Sequence, residues 1–134
     1  MLIGAGIPTR GTRDYQHVLI AVPSRPGHET QYLPQRISLP WVMWNPLALK
    51  DRVPLRPSGS GILEVAGERA AVLICYEQLI PWPVITAMAE SPTVVVTVSN
   101  AAWTRRTPIP TVQSASVASW SRLFGLPSVS FVNQ

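Results

Sequence analysis

The chain contains few charged residues, one cysteine and two histidines, and each scarcity excludes a class of protein. A single cysteine, Cys75, excludes an internal disulfide and a zinc site built from cysteines. His17 and His28 lack a metal-ligand spacing, so we expect no metal and no cofactor. Lys50 is the only lysine, and the arginines are scattered. The net charge of +4 therefore gives no support for nucleic-acid binding.

Long apolar runs are also missing from the sequence. No run approaches about 18 residues, which predicts no membrane span, and the first residues lack the features of a signal peptide. The localisation therefore stays open. Hydrophobic residues make up 46% of the 134 residues and charged residues 13%, which indicates one folded domain with few surface charges. We expect such a chain to associate with itself or with a partner.

The pattern of apolar residues predicts an α/β fold. Unbroken apolar or β-branched runs predict strands at 2–5, 17–22, 62–65, 70–74, 93–98 and 128–132. The third and fourth strands flank a short loop with a glycine, which predicts a hairpin and hence a mixed sheet. Apolar spacings of three and four predict helices at 83–90 and 110–124, the second capped by Gly125. We expect these helices to cover one face of the sheet.

Cys75 occupies the most informative position in this pattern. It ends the apolar run 70–74 and precedes Pro81 and Pro83, which are typical of a helix start. Open α/β sheets carry reactive groups at the carboxyl ends of their strands. Amides at a helix start would lower the pKa of the thiol and favour a nucleophilic thiolate. The alternative is that Cys75 is a small buried hydrophobic residue.

Several motifs around Cys75 occur together in the order of a known family. They are VLICYE at 72–77, SNAAW at 99–103, Gln113 in the second helix, and GLP at 125–127. This series resembles the nitrilase superfamily of carbon–nitrogen hydrolases, in its apolipoprotein N-acyltransferase branch. The further motifs PWVMW at 40–44 and WSRLFG at 120–125 are most similar to the nitrilase-like domain of conjugal-transfer proteins.

The resemblance implies a fold and a set of site residues. The family fold is an αββα sandwich, of which residues 1–134 would be the C-terminal portion. Cys75 would be the nucleophile and Glu77 a supporting residue. The catalytic lysine of the family falls on Gln35, and its general-base glutamate would lie upstream of the chain. Tyr76, Asn100 and Trp103 would contact the substrate.

The glutamine at the lysine position and the placement of the general-base glutamate upstream of the chain leave three functional hypotheses open. The first is acyl transfer or C–N bond hydrolysis through a Cys75 thioester, acting on a small molecule or an acyl donor. The second is a catalytically degenerate component that binds a partner in the conjugation machinery or in a membrane assembly. The third is a hydrolase that pairs the cysteine with His17 or His28.

An incomplete sandwich also has a consequence for the surface. We expect strands 62–65, 70–74 and 93–98 to expose an apolar inner face, unless the tryptophan-containing loop 41–57 folds over it. Arg36, next to Gln35, should point away from the site if this segment is extended.

Overall fold

The computed structural model describes residues 1–8, 15–23, 27, 29–40, 55–102, 104 and 106–133. The first described strands form an antiparallel sheet in chain order, composed of β1 (Leu2–Pro8), β2 (Tyr15–Ala21) and β3 (Gln31–Pro34). β1 extends three residues beyond the predicted strand, because β2 offers it a partner as far as Tyr15. This first sheet is a meander with local connections.

The second sheet contains the strand that ends at Cys75. Its order is β4 (Ile62–Val65), β5 (Glu68–Ile74), β6 (Val94–Asn100) and β7 (Ser128–Asn133). β4 and β5 are antiparallel, whereas β5, β6 and β7 are parallel. Helices α1 (Pro81–Met88) and α2 (Ile109–Phe124) supply the two crossovers that parallel strands require. The predicted mixed sheet is confirmed.

The hairpin between β4 and β5 is tighter than predicted. Val65 pairs with Glu68, so the loop has two residues instead of four. Ala66 and Gly67 both have positive φ, at 54° and 86°. This is the backbone of a type I′ turn, whose twist matches that of the strands.

The two faces of the second sheet have different neighbours. Leu73 and Val95 pack with Val84 of α1 and with Trp120 of α2. Val72 and the residues that alternate with it along β5 face the opposite way, and they pack against the first sheet. The result is three layers, with both helices on one face of the mixed sheet as predicted. No helix in the described part of the chain is long and apolar enough to cross a membrane.

The expectation of a bare inner sheet face is wrong for the central strands. Ala70, Val72 and Ile74 are buried because the first sheet covers them. β3 lies against β4 and β2 against β5, while Gly4 of β1 approaches Val98 of β6. Every residue of β7 is exposed among the described residues, and its Phe131 is 48% exposed. Most of the loop proposed as a cover, residues 41–54, lies outside the described residues.

Candidate functional site

A cavity of about 540 Å³ lies between the two sheets. It opens where β5, β6 and β7 end, since parallel strands bring their carboxyl ends to the same edge of a sheet. Most of the residues in its wall are glycine or aliphatic: Gly4, Ala5, Gly6, Val18, Leu19, Leu39, Ile74 and Val98. The polar residues that line it are His17, Gln35, Cys75, Ser99, Asn100 and Asn133.

Cys75 lies where the chain leaves β5. Ile74 is the last strand residue, and the chain turns directly into a short 3₁₀ helix at Cys75–Leu79. The φ of Cys75 is 52°, in the left-handed region that residues with a Cβ seldom adopt. Strained backbone of this kind is concentrated at functional sites. The prediction that Cys75 directly follows an interior strand is confirmed.

The surroundings of Cys75 do not activate the thiol. Burial raises the pKa of Cys75, and the nearby Glu77 carboxylate acts in the same direction. The Tyr76 amide and the Gln113 side chain oppose the rise without cancelling it. Gln113 of α2 also donates from Nε2 to the Cys75 carbonyl oxygen at 3.1 Å. The prediction of a lowered pKa is therefore wrong, because burial outweighs the local amides.

We expect the alkylation of Cys75 to reflect this raised pKa. The rate of reaction with iodoacetamide should be lower at pH 8 than that of the same thiol in the urea-unfolded chain, and its pH midpoint should be higher. Mass spectrometry reports the adduct without ambiguity, since the chain has one cysteine. A folded-state midpoint at or below the unfolded one would contradict the structure.

Gln35 lies on the same cavity wall as Cys75. Its Nε2 donates to the carbonyl oxygen of Ile74 at 3.1 Å, one residue before the cysteine. The side chain is buried, and its Oε1 has no hydrogen-bond partner among the described residues. The structure thus brings together the two residues that the motifs align with nucleophile and lysine.

Glu77 lies outside the cavity wall and bonds to the backbone that follows Gln35. Its Oε1 accepts hydrogen bonds from the amides of Arg36 and Ile37, and its Oε2 accepts one from the amide of Ile74 at 2.9 Å. The carboxylate is 1% exposed and does not line the cavity. Its contacts are those of a supporting group that joins residues 35–37 to the end of β5.

Arg36 does not line the cavity, although residues 36 and 37 form a bend and not the extended segment on which that prediction rested. Its Nε lies 3.7 Å from Glu77 Oε1, and its Nη2 donates to the Val72 carbonyl oxygen at 3.2 Å. Nη1 donates to Thr86 Oγ1 at 3.3 Å. Burial lowers the pKa of Arg36 and raises the pKa of Glu77, while the attraction between the two opposes both shifts. The sequence carried no signal for this buried ion pair.

The other predicted site residues have different outcomes. Asn100 lines the cavity, and its Oδ1 also accepts a hydrogen bond from the Ala102 amide at 3.1 Å. Tyr76 is half-buried and is not among the residues that line the cavity, and its contact with a substrate stays a prediction. Trp103 and His28 lie outside the described residues.

His17, which the third hypothesis names as a partner of the cysteine, also lines the cavity. It lies on β2 at the same parity as Leu19 and Ala21, which pack against the second sheet. The alternation of side chains along β2 was the signal in the sequence that placed His17 on the inner face. Burial lowers the pKa of His17, so the imidazole is neutral at pH 7. Among the described residues, no three His, Cys, Asp or Glu side chains form a group that could hold a metal ion.

Comparison with known proteins gives a relationship at the level of sequence. No protein-family profile matches the chain. The chain is 34% identical to the conjugal transfer protein TraB of Agrobacterium fabrum, over 99% of this chain and 32% of that protein. It is also 34% identical to a probable conjugal transfer protein TraB of Sinorhizobium fredii, over 86% of this chain and 30% of that protein. The chain spans about a third of the length of these relatives, and over that third it is homologous to TraB proteins.

Proposed function

We propose that the chain acts in conjugal transfer and that residues 1–134 form the C-terminal portion of a nitrilase-like domain. The first part is supported by the two relatives, both named as conjugal transfer proteins. The second is supported by the motifs around Cys75 and by the layers of the fold. Two stacked sheets with helices on the outer face of one would supply three of the four layers of an αββα sandwich.

The proposed chemistry is acyl capture by Cys75. The single observation that carries it is a cysteine with left-handed backbone at the end of an interior strand, on the wall of a cavity large enough for a small molecule. In this reaction the sulfur attacks an acyl carbonyl, the bond to the amine or alcohol breaks, and a thioester forms. The thiol proton passes to a base and then to the leaving group. Among the described cavity residues, the imidazole of His17 is the basic side chain available.

A glutamine at residue 35 predicts slow turnover in the proposed acyl transfer. A carboxamide carries no positive charge, so it cannot stabilise an oxyanion as a lysine ammonium would. Loss of such a group typically lowers the rate by about 10² to 10³. This observation favours the second candidate function, a nitrilase-like component that binds a partner and lacks efficient catalysis. Its partners would be conjugation machinery, a membrane protein or a second copy of the chain.

Acylation by an activated ester tests the proposed chemistry. We expect p-nitrophenyl butyrate to leave a butyryl group on Cys75, detected as a mass shift that Cys75→Ala abolishes, with slow release afterwards. Gln35→Lys should raise the acylation rate at pH 7 about tenfold or more, because a cation within about 4–6 Å lowers a thiol pKa by at least one unit. Gln35→Met is the matched control and should give no increase.

The outcomes separate the two candidates. Acylation that rises with Gln35→Lys supports a cysteine site that has lost its cation. If neither the parent chain nor Gln35→Lys forms the adduct, acyl capture is refuted and the non-catalytic role in conjugation is favoured.

A further inference from the structure

β7 forms one end of the second sheet, and no other strand of the described residues pairs with its outer edge. Its six residues, Ser128–Asn133, are all exposed and include no charged residue and no proline. Its register with β6 is continuous, without a bulge. Charges, prolines and bulges are the features that keep edge strands from pairing with another chain. Because β7 has none of them, its outer edge is open to a further strand.

The opposite edge of the same sheet is closed by side chains. The Gln31 side chain accepts a hydrogen bond from the Glu64 amide of β4 at 3.2 Å and donates one to the Glu64 carbonyl oxygen at 3.3 Å, as a neighbouring strand would. The next outward amide along β4, that of Ile62, donates to Ser60 Oγ at 3.2 Å. One edge of the sheet is therefore occupied and the other is open. This difference favours an assembly of two copies over an open-ended one.

The hydrogen bonds to β6 determine which backbone groups of β7 face outward. The carbonyl oxygens of Pro127 and Asn133 accept hydrogen bonds from the amides of Val95 and Ala101, at 2.9 Å in both cases, so these carbonyls face β6. Backbone groups alternate in direction along a strand, and every second residue between these two therefore faces the open edge. The residues with outward N–H and C=O groups are Ser128, Ser130 and Val132.

The apolar side chains of β7 are only half-buried. Val129 and Phe131 pair with Val96 and Val98 of β6, which pack on the side of the first sheet. Val129 is 47% exposed and Phe131 is 48% exposed. A further strand beside β7 would bury part of this apolar surface, which is favourable.

We propose that β7 pairs antiparallel with β7 of a second copy, about a two-fold axis at Ser130. In this register Ser130 lies opposite Ser130 of the partner subunit, and Ser128 lies opposite Val132 of the partner subunit. Each of these pairs joins residues whose backbone groups face outward, so each can exchange both N–H···O bonds. Between them, Val129 lies opposite Phe131 of the partner subunit, a β-branched–aromatic pair of the kind that stabilises antiparallel sheets. The two four-stranded sheets would become one continuous sheet.

Two features favour a second copy over a different partner. The strand is uncharged, so two chains that each carry a net charge of +4 can meet at this edge without like charges on the paired strands. The sequence of β7 also complements itself, since centring on Ser130 pairs each residue of 128–132 with a residue on the same face of the sheet. This inference goes beyond the proposed function and requires no chemistry at Cys75.

Amide hydrogen exchange of the full chain tests the outer edge directly. We expect the amides of Ser130 and Val132 to exchange about tenfold or more slowly at a concentration where sedimentation velocity shows a dimer than after dilution to the monomer. The amides of Val129 and Phe131 face β6 and should change little with concentration, so they serve as internal controls.

Charged substitutions at the paired positions test the register. Val129→Glu and Phe131→Lys should each weaken dimerisation about tenfold or more, because each places two like charges about 7–8 Å apart across the two-fold axis. An equimolar mixture of the two variants should restore dimerisation, since opposite charges then face each other across the strands. Val112→Glu on α2 is the matched control, because Val112 is 51% exposed, and it should leave dimerisation unchanged. Circular dichroism shows whether each variant has folded.

Several outcomes would overturn the proposal. They are a chain that stays monomeric at every concentration, an equal loss of dimer in Val112→Glu, and a mixture that associates no more tightly than its components. Assemblies larger than a dimer would refute closure about a two-fold axis. If a charged variant does not fold, the exchange measurement alone decides.

This proposal and acyl capture fail separately. A dimer through β7 without any Cys75 acyl adduct would leave the interface and refute acyl capture. An adduct on a chain that stays monomeric would leave acyl capture and refute the interface.

Discussion

Arg36→Met is expected to lower the free energy of unfolding by about 3–5 kcal/mol at pH 7. The substitution leaves the Glu77 carboxylate buried without a cation, at 1% exposure. It also removes the donors to the Val72 carbonyl and to Thr86. Breaking one side of a buried ion pair is far more destabilising than removing an exposed one. Urea denaturation followed by circular dichroism measures the effect.

The loss of unfolding free energy in Arg36→Met should depend on pH, because Arg36 affects the pKa of Glu77. Burial already raises the pKa of Glu77, and removing Arg36 raises it further. A carboxyl whose folded pKa is raised destabilises the fold as pH rises through that pKa, and does so least below its unfolded pKa. The deficit of Arg36→Met should therefore shrink from pH 7 to pH 4.

Two further variants control this experiment. Arg69→Met breaks the Arg69–Glu64 pair, whose side chains are 45% and 51% exposed, and should change stability by no more than about 1 kcal/mol. Adding Glu77→Gln to Arg36→Met should recover part of the loss at pH 7. Equal losses in Arg36→Met and Arg69→Met would show that the buried pair has no special weight.

Gly61→Ala is the second substitution with a large expected effect. A Cβ on Gly61 would overlap Arg36 Nη1 and would lie 2.7 Å from its Cζ. The guanidinium cannot withdraw cheaply, because Val72, Thr86 and Glu77 hold it. We expect a loss of about 1–3 kcal/mol or more in the free energy of unfolding, as for other overpacked sites.

A double-mutant cycle assigns the cause of that loss. In the Arg36→Met background a flexible thioether replaces the fixed guanidinium, so Gly61→Ala should be much less destabilising there. Gly4→Ala is the control, since its Cβ would meet Val98 Cγ1 at 3.6 Å, an ordinary contact. If the loss in Gly61→Ala is the same in both backgrounds, Arg36 is not its cause.

The parts of the fold that depend on local sequence could be predicted. The β-branched run after Thr93 became β6, and α2 ends at Gly125, which adopts the left-handed conformation of a helix cap. The limits of β1 depended instead on how far its neighbour β2 extends. No local pattern contains that information.

The candidate site likewise has one part that could be predicted from local sequence and one part that could not. The motifs aligned Cys75 and Gln35 with two residues of one site, and both residues line the cavity. This could be predicted because a short segment of backbone determines the position of each. The pKa of the thiol could not be predicted, since it depends on burial beneath the first sheet. Arg36 and Glu77 are 41 residues apart in the chain, and their contact exists only after both sheets have assembled. Sequence patterns that report on one turn or strand cannot reveal such a pair.

The left-handed backbone of Cys75 has a consequence for stability. A residue with a Cβ is disfavoured in this conformation by about 1–2 kcal/mol, and glycine is not. Ala66 and Ser91 have the same conformation, at φ of 54° and 55°. The fold therefore carries this backbone strain at three residues with a Cβ, each where the chain leaves a strand or a helix.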